Sequence, residues 1–482
     1  MGVLSGLKPE KVFYYFEEIC KIPHGSGNVD QISDYLADFA KQRGLSYLQD
    51  TTKNIIISKE ASAGYEDSEG VILQGHMDMV AVKKPGSTIN MLTDGLKLKV
   101  DGDYVYAEDT SLGGDDGIAI AYALAILDDD SIPHPHLDVV ITVDEEVGMD
   151  GAKAIDISGL KGTRLLNLDS EEEGYFLVGC AGGARVEHFL PVVREEREGI
   201  SVTCKVEGLQ GGHSGDAIDK ERGNANSLQG RVLDAILQVS EIGVYDLQGG
   251  LADNAIPREC ELKFIVSEEN CDKVQQAVAE LEQDLQAELA VKDPDVKISF
   301  VKEGSRKEKC LDQASCENIM RVLLAMPNGV QAMSADIKGL VQTSLNNGII
   351  KLKEEELTFV TSVRSSIASE KQALIKKISA VTALAGGTAK VFSDYPGWAY
   401  KADSVVRDKC IEVYRKMYGK EPIVRTIHAG LECGLLLEKR PDLDCVSMGP
   451  DMCSIHTTEE KLSISSTERV WKYLCKLLAA LK

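Results

Sequence analysis

The sequence is short of the features that mark several function classes. None of its twelve cysteines stands in a CxxC pair, which excludes a zinc ribbon and a thioredoxin-type redox motif. Scattered in this way, the thiols read as reduced and mostly buried. Basic residues are scarce: 53 Lys and Arg stand against 77 Asp and Glu, for a formal net charge of −24. Nucleic acid and anionic membranes both demand basic patches, so neither is expected as a partner. No apolar run approaches the roughly 18–20 residues that a membrane span needs. The opening MGVLSGLKPEKVF lacks the long apolar stretch of a signal peptide, and Gly6 stands where a myristoylation signal needs Ser or Thr. The expected location is the cytoplasm.

What is present points to an α/β protein of two or three domains, given 482 residues. Short apolar runs alternate with helical periodicity: 54–58, 71–75, a helix from about 116 to 128, then 137–143 and 163–168. Near-continuous apolar strands separated by helices predict a mostly parallel sheet covered on both faces. From about Val186 the texture changes to polar–apolar alternation, as in SVTCKV at 201–206. Two strand–helix–strand units follow, at 259–301 and 356–392, and their repeated order suggests an internal duplication. After Tyr395–Pro396–Gly397 the first texture returns, with DCVSMG (444–449) as a strand. A closing helix follows, with Ser465 and Glu468 as its capping box. The expected division is a catalytic domain from 1–185 and 396–482, with an α+β lid at 186–395 inserted into it and hinges near 185 and 395.

The chemistry sits at strand tips. His76 and Asp78 follow VILQG, Glu145 and Glu146 follow LDVVITVD, Asp169 follows TRLLNL, and His456 lies a short loop beyond DCVSMG. In an open α/β sheet these carboxyl ends converge. Asp115, in GGDDG, precedes a helix at a turn where Gly113, Gly114 and Gly117 permit close backbone approach. Each element alone has an ordinary explanation: a helix cap, a solvated acidic loop, a surface histidine. Seven together are harder to dismiss. Two imidazoles and several carboxylates without a thiolate suit two divalent ions, zinc first, with cobalt or manganese as alternatives. Of the adjacent Glu145 and Glu146, one can ligate while the other acts as base. His76 reads as a ligand and Asp78 as its orienting partner.

The ordered set GHMDMV, LGGDDG, DEEVGMDGA, NLDSEEEG, GGHSG, NAIP, SVRSS, YPGW, HAGLECG and GPDMCSIHTTEEKL resembles, over the whole chain, the aminoacylase/carnosinase family of dizinc metallopeptidases. Within that family it resembles the bacterial aminoacyl-histidine dipeptidase group. The resemblance implies His76, Asp115 and Asp169 at one metal and Asp115, Glu146 and His456 at the other. Asp115 would bridge, often with a cis peptide after it. Glu145 would be the general base and Asp78 the carboxylate that tunes the His76 metal. From the lid, His213 would stabilise the oxyanion, and Asn254 and Arg364 would grip substrate. Gly430 would line the substrate end, and Glu432 would hold a free α-amine. One departure is Gly117, where most relatives have Lys. The implied function is hydrolysis of dipeptides with a free N-terminus, Xaa-His substrates such as carnosine included. The alternatives are a tripeptidase, an N-acyl amino acid deacylase, or a non-catalytic binding relative. The duplicated form of the lid leaves assembly open between a homodimer through the lid, which is the expectation, and a single chain whose second half supplies what a partner would.

Overall fold

A computed structural model describes residues 2–482 and divides into two compact units. The first runs to Gly179 and takes in Tyr400–Thr426 and Glu432–Lys482; the second is Cys180–Ala399 with Ile427–Leu431. The chain therefore passes between the units four times. The short segment Ile427–Leu431, which the sequence reading left in the catalytic domain, belongs to the second unit. Among the described residues no helix is long and apolar enough to cross a membrane.

The first unit is built on an eight-stranded sheet. Its order is Ser46–Gln49, Ile55–Lys59, Leu137–Thr142, Val71–His76, Arg164–Asn167, Asp444–Ser447, Tyr175–Cys180 and Ile423–Ile427. The four central strands are parallel and fully or largely buried, in keeping with the apolar residues that dominate them. The parallel centre is flanked by antiparallel pairs on both sides. Ile55–Lys59 runs antiparallel to both of its neighbours, and the short loop from Gln49 to Ile55 leaves no room for the crossover that parallel pairing needs. Every residue of the helix Gly114–Leu127 is buried, so it has no wet face, and the helix Glu10–Cys20 packs on it. The closing helix, Ile464–Ala480, is capped by Ser463, whose Oγ accepts from the Ser466 N–H. The capping box expected at Ser465 is absent because the Ser465 hydroxyl and N–H are both spent on Asp103.

The second unit holds a nine-stranded antiparallel sheet. Eight strands run in the order Lys297–Leu311, Arg194–Glu207, Cys260–Val266, Ile242–Gly249, Val341–Leu352, Glu356–Ser365, Gly182–Pro191 and Thr388–Tyr395, and Gly329–Met333 pairs beside the fifth. The order repeats from each outer edge inwards. In each half the chain makes strand, helix, strand, strand, helix, strand, and the fourth strand lies outside the first. The halves join through two residue pairs, Gln248 with Lys351 and Gly249 with Ile350. One half, 194–311, is inserted after the first strand of the other.

Candidate metal centre

Parallel register brings the strand tips of the first unit side by side: His76 pairs with Thr142, Gln74 with Asn167, and Ser447 with Asn167. His76, Glu145, Glu146 and Asp169 stand at such a tip or within four residues of one, while Asp115 comes from the start of the helix Gly114–Leu127 and His456 from the loop beyond Ser447. His76 is 1% exposed. Its Nδ1 lies 2.9 Å from the Asp78 carbonyl oxygen, which leaves Nε2 facing Asp115 Oδ1 at 3.2 Å and Asp169 Oδ1 at 3.6 Å. That is the tautomer a ligating imidazole needs. His456 Nε2 lies 3.1 Å from Asp115 Oδ2 and 2.9 Å from Glu146 Oε1. Asp115 thus presents one carboxylate oxygen to each imidazole.

The backbone here is held against its preferences. Asp144 (φ 54°) and His456 (φ 62°) both occupy the left-handed region, as residues at functional sites often do. The Asp115–Asp116 peptide bond is cis. The turn Leu112–Asp115 is secured by Glu460, whose carboxylate accepts the N–H groups of Leu112 (2.8 Å), Gly113 (3.1 Å), Gly114 (2.8 Å) and Asp115 (3.4 Å). Sequence reasoning passed over Glu460, although it stands in the same HTTEE run as His456. The available signal was a buried helix start, at Gly113, with no side-chain cap of its own.

Asp78 orients more than its neighbour histidine. Its Oδ1 accepts the Glu145 N–H at 3.0 Å, and its Oδ2 accepts the Ser26 hydroxyl at 2.8 Å and the Glu146 N–H at 3.4 Å. Burial pushes its carboxyl up, but His76 and these donors hold it below the usual range. The Asp78 carboxylate therefore fixes the turn that carries Glu145 and Glu146, while its backbone carbonyl aims His76.

Negative charge is crowded. Burial pushes the Glu145 carboxyl well above the usual range, and Asp169, Glu432 and Glu146 push the same way against the pull of His76. Asp169 is raised to about 6, by burial first and by Asp115 and Glu146 as well. Hydrogen bonds to Asp115 and Glu146 hold the His456 imidazole up at about 10. Three sets of donor atoms each lie within 4.8 Å of one another: Asp115, Glu146 and His456; His76, Glu145 and Glu146; and His76, Asp116 and Asp169. Carboxylates packed this closely with only two imidazoles to balance them fit divalent cations, and the mixed oxygen and nitrogen donors fit the zinc, cobalt or manganese class.

In the second unit, His213 ends a two-residue strand and is partly exposed. Its Nδ1 accepts the Gly215 N–H at 3.3 Å, so the ring proton sits on Nε2. Burial and then the charge of Arg364 lower its pKa, which favours this neutral donor. Asn254 is held through its own backbone: its carbonyl accepts the Ser214 N–H, and Asn346 Nδ2 donates to the flanking carbonyls of Asp253 and Ala255. Arg364 is 9% exposed, with one hydrogen bond, from Nη1 to the His428 carbonyl at 3.4 Å. Its Nε lacks a partner, and no carboxylate stands within ion-pairing distance of it among the described residues. A buried guanidinium without an anion is poised to receive one. Gly430 is partly buried, in the segment Ile427–Leu431. Glu432 requires a correction. It is wholly buried, with Oε2 taken by Gln74 and Thr142, so it offers no surface to a substrate amine.

A donor set able to hold two ions, beside a further carboxylate at the carboxyl edge of an α/β sheet, defines a hydrolytic metal centre. The chain matches Peptidase family M20/M25/M40 over residues 72–480. It is 36% identical to the cytosol non-specific dipeptidase of Escherichia coli K12 over 99% of both chains. The structure of the aminoacylhistidine dipeptidase from Vibrio alginolyticus superposes with a TM-score of 0.94 at 35% identity, covering 99% of this chain and 98% of that one. An aminopeptidase of Bacillus cereus, PepT, shares the fold at a TM-score of 0.58 and 16% identity, over 98% of this chain and 99% of that one. This chain belongs to Peptidase family M20/M25/M40; it is a metallopeptidase and hence a hydrolase.

Proposed function

We propose that the chain is a dipeptidase that hydrolyses dipeptides with a free N-terminus, Xaa-His substrates including carnosine among them. The observation that carries this reading is Asp115, set between two imidazoles with Glu145 at hand. The names of its two similar relatives, a non-specific dipeptidase and an aminoacylhistidine dipeptidase, support the substrate class. Two divalent ions, zinc by preference, would be held by His76, Asp115 and Asp169 and by Asp115, Glu146 and His456, and would polarise the scissile carbonyl and acidify the attacking water.

The chain's own groups do the rest. Glu145 accepts the water's proton and delivers it to the leaving nitrogen. Asp78 is a positioning residue that keeps the Glu145 turn in place. His213 donates from Nε2 to the carbonyl oxygen as negative charge develops there. Arg364 takes the C-terminal carboxylate in a two-pronged contact, with Asn254 and Gly430 lining the substrate. The mostly buried cysteines and the name of the Escherichia coli relative support a cytoplasmic location. The exposed Val301, Val391 and Phe392, on the outer strands of the nine-stranded sheet, support a homodimer formed through that sheet, to be read from molar mass in solution.

The test is turnover of a panel of free dipeptides, Xaa-His members included, beside their N-acetyl forms and tripeptides. Cleavage confined to free dipeptides is the expected result. Preference for acetylated substrates or tripeptides would replace the reading with deacylase or tripeptidase activity.

A further inference from the structure

Four buried polar side chains lie at the carboxyl end of the sheet, close to the residues of the metal centre. Gln74, Thr142, Asn167 and Glu432 are each 0–1% exposed. They form one chain of hydrogen bonds. Asn167 Nδ2 donates to Gln74 Oε1 at 2.6 Å, Gln74 Nε2 donates to Glu432 Oε2 at 2.5 Å, and Thr142 Oγ1 donates to the same Oε2 at 2.6 Å. Gln74, Thr142 and Asn167 sit on three adjacent parallel strands, two or three residues before His76, Glu145 and Asp169 respectively. Glu432 is the first residue of the helix Glu432–Lys439 and follows at once on the segment Ile427–Leu431. Burying four polar groups is costly where apolar residues would pack, so the network is retained for what it fixes.

We propose that Glu432 is a positioning residue for the metal centre, its carboxyl tying together the strand tips that deliver His76, Glu145, Glu146 and Asp169. This rests on the function proposed above. The tie needs an oxygen acceptor, not a charge. Both donors reach the single atom Glu432 Oε2, and the amide oxygen of a glutamine can accept the same two hydrogen bonds, whereas alanine removes the acceptor.

The experiment measures zinc affinity of the metal-stripped protein by competition with a chromophoric chelator, and kcat and KM of the reloaded protein. The variants are Glu432→Gln, Glu432→Ala and Thr142→Val, each with circular dichroism of the metal-free form as a control for folding. Glu432→Gln should bind zinc within about twofold of wild type, and Glu432→Ala should lose about 10–100-fold in zinc affinity, with kcat falling and KM unchanged. Thr142→Val is expected to weaken zinc binding in the same direction, and the double variant with Glu432→Ala to be little worse than Glu432→Ala alone. Should Glu432→Ala not fold, Thr142→Val and Glu432→Gln carry the test by themselves. Wild-type zinc affinity in Glu432→Ala or Thr142→Val, or equal losses in the Gln and Ala variants, would overturn the inference. A wild-type protein that binds no zinc would instead contradict the proposed function.

Discussion

At the scale of single residues, the site is governed by which carboxylates are spent on backbone and which are free. Asp78 and Glu460 face N–H groups, while Asp115, Glu146 and Asp169 face the imidazoles. Glu460→Ala would leave up to four buried N–H groups without an acceptor, at a cost of roughly 3 kcal/mol once the turn relaxes. Chemical denaturation should show that loss, together with weaker zinc binding because Asp115 hangs from the same turn. Unchanged stability would mean that the turn holds itself. Arg364→Lys keeps the charge but loses the planar fork, so KM for dipeptides should rise about tenfold or more while kcat changes little, as initial rates across substrate concentration would reveal. The clustering of His76, Asp115, Glu146, Asp169 and His456 was legible because so many potential donors recur beside successive apolar strands, although each alone has an ordinary explanation. Glu460 and Glu432 were not, because their partners are backbone groups or strand residues remote in sequence, and glutamates are common.

Elements explain why some sequence readings needed revision. Strand runs stood out by their consecutive apolar residues, VIL in VILQGH and VVI in LDVVIT. The repeat in the second unit was only half visible. Its later strand–helix–strand portions are contiguous, but the earlier strand and helix of one half are separated by the whole of the other half. The helix Ile464–Ala480 was legible, yet its cap was misplaced by two residues, because Asp103 competes for Ser465 and no local rule reports that.

The second unit holds two buried histidines whose elements give them an acid response. His188 lies between Thr382 and Thr361 and stacks on Phe359, and His428 meets the Ser344 hydroxyl at 2.7 Å. Burial lowers both to about 4, and Arg364 also lowers His428. Folded values below the unfolded one mean that each contribution is fully present above about pH 6.5 and is lost as pH falls towards 4. Each is worth roughly 3 kcal/mol, at ~1.4 kcal/mol per pK unit. Amide protection factors in the strands Gly182–Pro191 and Val341–Leu352, taken relative to intrinsic exchange at each pH, should therefore fall between pH 7 and 5, and His188→Gln should blunt the effect. A flat profile would contradict the assignment.

For the whole molecule, the surplus of acidic residues has a local counterpart in the centre, where carboxylates repel one another until cations join them. Metal removal is therefore expected to lower the melting temperature. Ions bound at 100–1,000 times their dissociation constant should stabilise the first unit by about 3–4 kcal/mol per site. Calorimetry with and without chelator reads this directly, and equal melting temperatures would speak against bound ions.

The central claim is that Glu145 moves the proton while other residues hold two ions. It is tested most directly by returning zinc in steps to metal-stripped protein while turnover of a free dipeptide is followed, in wild type and in Glu145→Gln. Wild-type activity should climb to a break at two equivalents. Glu145→Gln should take up the same two equivalents yet turn over about 100–10,000-fold more slowly. Full activity in Glu145→Gln, or a wild type that binds both ions and cleaves nothing, would contradict the account.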